Sequence, residues 1–138
     1  QKEFAKRLVA KPGTKNYSRL TVMVNYKANV EVLRFVPRKS FYPEPKVDST
    51  VIRVIPKTIT TKVDEDFFSK IIRILFSHPN KRVGKIIRSY LMDKSPISRG
   101  FIKSLNIPFS EKRVRELTVD EFIRISDYLR DKIGDRNL

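Results

Sequence analysis

The sequence has no cysteine, no tryptophan, a single histidine (His78) and four scattered glycines. Without cysteine there is no disulfide framework, no thiolate nucleophile and no cysteine-based metal site. One histidine cannot build a multi-histidine metal centre, so no metal is expected. Gly13, Gly84, Gly100 and Gly134 stand far apart, so no glycine-rich loop cradles a phosphate or a nucleotide cofactor. No Ser/His/Asp arrangement presents itself. His78 precedes Pro79 at a helix end and reads as a structural or RNA-contacting residue, not as a base. Neighbouring carboxylates occur only where helices start, and capping explains them. By these residues alone the chain would carry out no reaction unaided. No run approaches the roughly 20 apolar residues of a membrane helix, and no leader peptide is visible. Membranes are therefore not an expected partner, and a cytoplasmic, monomeric protein is the expectation. Acids are scarce as well: 15 against 30 lysines and arginines, for a net charge of +15.

That imbalance is the loudest positive feature. A charged surface built only for solubility mixes its signs, whereas a two-to-one excess of bases favours a polyanion, most often nucleic acid. The 138 residues suit one domain or slightly more, and 40% apolar residues can furnish a core. The chain opens at Gln1 without a methionine and enters a helix directly. The expectation is a C-terminal piece of something longer.

Residues 2–10 read as a short helix with Phe4, Ala5 and Leu8 on one face, stopped by Pro12 and Gly13. A second helix is expected over 17–28, capped by Ser18, with Tyr17, Leu20 and Val24 as its stripe. Val22 and Met23 give the same stretch some strand character. Asn29 breaks it. Strands follow over 30–36 and 50–55, the second apolar on both faces except at Arg53, as in a covered sheet. Two strands alone are marginal, and no further strand is evident, which points again to a missing upstream part. A polar link over 56–62 divides residues 1–60 from residues 61–138, and the second part reads as helix and turn.

In that second part, residues 64–77 are amphipathic, with Phe67, Phe68, Ile71, Ile72, Leu75 and Phe76 spaced by three and four. A helix over 81–91 sets Val83, Ile86, Ile87, Tyr90 and Leu91 against a basic face of Lys81, Arg82, Lys85 and Arg88. That face holds no acid, so these four are the candidate phosphate contacts. Short helix 98–105 and a turn at 106–109 follow. Thr118 and Glu121 form a capping box for the last helix, 119–133, which buries Phe122, Ile125, Leu129 and Ile133 and ends at Gly134.

Between the strands lies a loop that cannot be helical, because Pro37, Pro43 and Pro45 fix φ and lack a donor. It carries Phe41 and Tyr42. These rings either plug the end of the sheet or present a rigid aromatic surface.

The loop residues Phe41, Pro43, Pro45, Lys46, Val47, Asp48 and Ser49 match the Phe-x-Pro-x-Pro-Lys-Val-Asp-Ser motif of the ribosomal RNA adenine dimethyltransferases. Residues 1–10, Pro12-Gly13 and 17–22 resemble the stretch after that family's catalytic motif. Phe76, Asn80-Lys81 and residues 115–122 resemble its helical C-terminal domain. His78-Pro79-Asn80-Lys81 is similar to the archaeal branch. The resemblance implies an α/β fragment, the tail of a Rossmann-like, doubly wound methyltransferase domain with a two-stranded antiparallel unit plus helices, followed by a small all-α domain. The parent would use S-adenosylmethionine to dimethylate N6 of adjacent adenosines near the 3′ end of small-subunit rRNA. Its partner would be that rRNA or a pre-30S-like particle during ribosome biogenesis. Phe41 would form a wall for the flipped adenine. Lys46, Lys81, Arg82, Lys85 and Arg88 would bind RNA. The family's glycine-rich cofactor loop and Asn-Leu-Pro-Tyr motif are absent, so this chain alone is expected to bind no cofactor. The alternatives are a non-catalytic RNA-binding or ribosome-assembly module using the same basic surface, and a DNA-binding helix-turn-helix module, which would leave the proline loop unexplained.

Overall fold

The computed structural model describes residues 1–58 and 63–138. The chain forms two compact units, Gln1–Thr60 and Thr61–Leu138. The polar link expected over 56–62 lies partly outside the described residues; Pro56 itself ends a strand.

The first unit holds helices α1 (Lys2–Leu8) and α2 (Arg19–Lys27) and an antiparallel pair, β1 (Ala28–Val36) and β2 (Ser49–Pro56). Ala5 and Leu8 of α1 are buried, but Phe4 is half exposed, against expectation. Ser18 caps α2 as expected, its N–H donating to Thr21 Oγ1 at 3.0 Å. The expected stripe of α2 is corrected: Tyr17, Thr21, Val22 and Tyr26 are buried, while Leu20 and Val24 are only half-buried. The cause is polar. A helix end leaves carbonyls without partners, and α2 supplies them. Thr21 Oγ1 donates to Arg7 O at 2.6 Å and Asn25 Nδ2 to Leu8 O at 2.8 Å. These bonds turn the Thr21/Asn25 side of α2 toward α1 and set which apolar residues go inside.

Asn29 does not break the chain, as expected of it, but lies within β1, paired with Ile55. The ladder runs from Ala28↔Pro56 to Val36↔Ser49 and slips between Val32 and Arg34, leaving Leu33 as the extra residue of a bulge. Glu31 faces Arg53, and the two form an ion pair, with Arg53 Nε 2.9 Å from the carboxylate. The expectation of a covered strand is not met among the described residues. Val32, Leu33, Phe35, Val51, Val54 and Ile55 all keep about half of their surface exposed.

The second unit packs α3 (Glu65–Phe76), α4 (Val83–Lys94), α5 (Arg99–Ser104) and α6 (Val119–Ile133) around one apolar core. Phe67, Phe68, Ile71, Ile72 and Leu75 of α3 meet Phe122, Ile125 and Leu129 of α6 there, all buried as their spacing requires. The Phe76 ring stacks on Phe122 with centroids 5.4 Å apart. Asp64 caps α3 by accepting from Phe67 N–H at 3.0 Å and pairs with Arg130 at 3.2 Å. Gly134, at φ 71°, ends α6.

The start of α4 differs from the expected one. Lys81 and Arg82 precede the helix, because a single antiparallel bridge and flanking backbone hydrogen bonds tie this turn to residues 110–115. Arg82 bridges Arg113, Val114 N–H donates to Lys81 O at 3.1 Å, and Arg115 N–H donates to Pro79 O at 2.9 Å. The same segment satisfies α4's first free amides: Val83 N–H reaches Lys112 O and Gly84 N–H reaches Ser110 O, both at 2.9 Å. Gly84 permits this approach, since a Cβ there would overlap the Ser110 side chain and crowd the Arg88 guanidinium.

Below α6's capping box lies a buried charge. Thr118 N–H donates to Glu121 Oε1 at 3.0 Å, Glu121 N–H donates to Thr118 Oγ1 at 3.2 Å, and Lys112 Nζ sits 2.8 Å from Glu121 Oε2. Burial pushes the Glu121 carboxyl up, but Lys112's hydrogen bond and charge and the Thr118 amide and hydroxyl outweigh it, so the net shift is downward from 4.5. A carboxyl lowered by folding stabilises the fold above its ordinary value, and that contribution is lost as pH falls through the folded value. Glu121→Gln is therefore expected to cost about 1–2 kcal/mol at pH 7, limited because Lys112 keeps 46% of its side chain exposed. The deficit against the unsubstituted chain should narrow in denaturant titrations run below pH 4.5. An equal deficit at pH 7 and in acid would exclude the charge as its source.

Candidate nucleic-acid interface

The proline loop is held at several points. Arg38 N–H donates to Asp48 Oδ1 at 2.9 Å, and Arg38 Nε sits 3.1 Å from Glu44 Oε1. Lys2 N–H donates to Asp48 O at 3.0 Å, tying the loop's return to α1, and Lys2 Nζ rests 4.7 Å from the Phe35 ring centre. After a 3-10 turn, Arg38–Ser40, the chain delivers Phe41, whose N–H donates to Arg38 O at 3.2 Å. The Tyr42–Pro43 peptide is cis. Phe41 is 45% exposed and Tyr42 fully so. Tyr42 thus plugs nothing within this unit, and the Phe41 ring keeps an accessible part. Lys46 is exposed on the same loop.

In the helical unit, α3, α4 and the turn between them enclose a groove of about 560 Å³. Lys81, Lys85 and Arg73 line it, together with Ser77, His78, Ser89 and Tyr90, over a floor containing Ile74 and Ile86. None of the three cations has a carboxylate partner among the described residues. The one acid at the groove, Asp93, is paired with Lys94 at 3.6 Å. Ser77 Oγ lies 3.0 Å from His78 Nδ1 and holds that ring.

The four basic residues picked from the helix do not form one face. Lys81 and Lys85 share the groove. Arg82 turns to Glu111 at 3.1 Å. Arg88 is half-buried, donating to Leu105 O at 3.0 Å and lying 3.4 Å from Ser110 Oγ. It braces the segment that receives α4's amides. Lys46 belongs to the other unit. Sequence reasoning passed over Arg73 and Ser89 and assigned Tyr90 to the packed face. Arg73 was the findable one, as an exposed base set between the apolar pairs Ile71-Ile72 and Ile74-Leu75. Its pairing with α4 is a tertiary fact that periodicity does not carry.

Among the described residues no three histidine or acidic side chains gather as a metal site. No described helix is long and apolar enough to cross a membrane.

The sequence pattern of the family "Ribosomal RNA adenine dimethylase" matches residues 1–131. The chain belongs to this family. Among curated dimethylase relatives, the Pyrococcus furiosus protein described as a probable ribosomal RNA small subunit methyltransferase A is 37% identical over 134 residues, covering 94% of this chain and 48% of that protein. The ribosomal RNA small subunit methyltransferase A of Lactiplantibacillus plantarum is 39% identical over 134 residues, covering 94% and 45%. In structure, the chain is similar to a dimethyladenosine transferase from Plasmodium falciparum, with a TM-score of 0.81, 30% identity, and coverage of 96% of this chain and 55% of that one. The 23S rRNA methyltransferase ErmE shares the fold at a TM-score of 0.55 and 23% identity, with coverage of 94% and 52%. The chain thus spans about half the length of its dimethylase relatives. The expected α/β piece, two antiparallel strands with helices, followed by an all-helical piece, is the arrangement found.

Proposed function

We propose that this chain is the C-terminal portion of an S-adenosylmethionine-dependent rRNA adenine N6,N6-dimethyltransferase that acts on adjacent adenosines near the 3′ end of small-subunit rRNA. The family match over residues 1–131 carries the reading. Within it, Phe41 on its braced loop serves as a wall for the extruded adenine, and Lys81, Lys85 and the exposed Lys46 meet RNA phosphates. Arg82 shares its charge with Glu111 and contributes less. Arg88 orders the helical unit from inside and supports the RNA face indirectly.

Neither the groove nor the glycines suit the methyl donor. Its sulfonium is positive, and the groove presents three unpaired cations, which repel it. Nor do the glycines form a cradle: Gly84 is packed on Ser110, and the other three are isolated in sequence, with open space at each. The donor and its transfer chemistry would belong to the remaining half of the enzyme.

The test is binding of the chain to a small-subunit 3′-terminal rRNA hairpin across a salt series, with Lys81→Ala/Lys85→Ala in parallel. Each phosphate contact contributes about 0.7–0.9 to the log–log slope, so the double variant should be shallower by roughly 1.4–1.8. An unchanged slope would remove both lysines from the interface. Tighter binding to the DNA hairpin of the same sequence would favour the DNA-binding reading instead.

A further inference from the structure

The groove between α3 and α4 contains more than phosphate binding needs. The phosphates of a duplex are met by cations on an open surface, with no concavity required. Here the cations stand at a cleft of about 560 Å³ floored in part by Ile74 and Ile86, with the half-buried Tyr90 ring in its lining. That volume lies in the range of small-molecule clefts, roughly 300–1,000 Å³. An apolar floor, an aromatic ring and unpaired cations together are the chemistry of a single-stranded nucleotide site, in which a base stacks and its phosphate is neutralised.

We propose that this groove binds one unpaired nucleotide of the RNA, its base stacked on Tyr90 above Ile74 and Ile86 and its phosphate held by Lys81 and Lys85. Arg73 lies across the groove on α3 and meets the next phosphate. His78, fixed by Ser77, adds a second ring to the lining. Asp93 is the one acid in the lining against three cations, so the cleft is net positive. The inference rests on the RNA-binding reading above and adds to it the structure of the target: a bulged or looped-out residue beside the helical segment. A fully paired segment cannot supply a free base.

The probe is an RNA hairpin carrying a single bulged 2-aminopurine, compared with the same hairpin fully paired. The unsubstituted chain should bind the bulged RNA about tenfold or more tightly and change the probe's emission. Tyr90→Ala and Tyr90→Leu should weaken binding to bulged RNA by roughly tenfold to a hundredfold, the usual range for one base–aromatic stack. Both should erase the preference and leave the salt slope intact, whereas Tyr90→Phe should retain all three properties. The leucine and phenylalanine variants keep apolar bulk, so they decide the matter if the alanine variant folds poorly. Equal binding of bulged and paired RNA, or a leucine variant that binds like the parent, overturns the nucleotide site. If Lys81→Ala/Lys85→Ala still flattens the salt slope in that case, backbone binding survives alone. If that variant changes nothing either, both readings fall.

Discussion

Replacing Phe122 with alanine is expected to destabilise the helical unit by about 3–5 kcal/mol, the range for a large aromatic deleted from a closed core. Phe122 has no exposed surface. Its ring stacks on Phe76, with an interplanar angle of 29°, and such pairs are worth about 0.5–1.5 kcal/mol beyond the area they bury. It also sits directly after Glu121, so the capping box that starts α6 and the ring that anchors it to α3 are adjacent in sequence. For a unit of this size each kcal/mol moves Tm by about 4–8 °C, so the loss should exceed 10 °C in a calorimetric scan. Phe122→Leu, which keeps most of the volume, should cost about 1.5 kcal/mol or less. A loss below about 1 kcal/mol for Phe122→Ala would mean that α3 and α6 do not share a closed core. The consequence reaches the groove, because α3 supplies Arg73 and Ile74 and its end supplies Ser77 and His78. Once Phe122→Ala melts the unit, the groove has no walls.

The parts of this architecture legible in the sequence are those where one strong pattern acted without competition. The apolar residues of α3 and α6 recur every three or four positions, and all the core residues named from them except Phe76 are buried, Phe76 being half-buried. The caps at Ser18 and Thr118 were equally plain, because a helix start leaves free amides and a capping box satisfies them at both. The misreadings share a cause. In α2 the hydrogen bonds of Thr21 and Asn25 to α1 overrode the apolar stripe. At the start of α4, Lys81 and Arg82 are good helix formers held out of the helix by a bridge and a backbone hydrogen bond to a segment about thirty residues away. Arg88 looked like a surface base by helical angle, but Leu105 O lay within its reach and turned it inward. Polar bonds between distant segments leave no periodic trace. Of the candidate site, Lys81, Lys85 and the Phe41 loop could be read from sequence, whereas Arg73 and the outward part of Tyr90 needed the packing of α3 on α4.

Phe41→Ala is expected to slow methyl transfer by about tenfold to a hundredfold in an enzyme completed by joining to this chain the half of the Pyrococcus furiosus relative that it does not match. One base–aromatic stack is worth about 1–3 kcal/mol, and each 1.36 kcal/mol of barrier is a factor of ten in rate. The ring gains its value from being held in place. Arg38 bonds to Asp48 and Glu44, Lys2 bonds to the Asp48 carbonyl, and Pro43 and Pro45 restrict the backbone beyond it. Little ordering entropy then remains to be lost when an adenine arrives. Phe41→Tyr keeps a stacking surface and should stay near the parent rate, while Phe41→Leu keeps hydrophobicity without an aromatic face and should resemble alanine. Tyr42→Ala is the internal comparison, since that ring is fully exposed and adjacent. Its effect should be small, because the proposed wall is Phe41. Arg38→Ala should lower the rate less than Phe41→Ala, and through kcat rather than KM, since it removes the bracing and leaves the ring. If Tyr42→Ala is slow and Phe41→Ala is not, the wall is Tyr42. If neither changes the rate, the loop's aromatics do not meet the base.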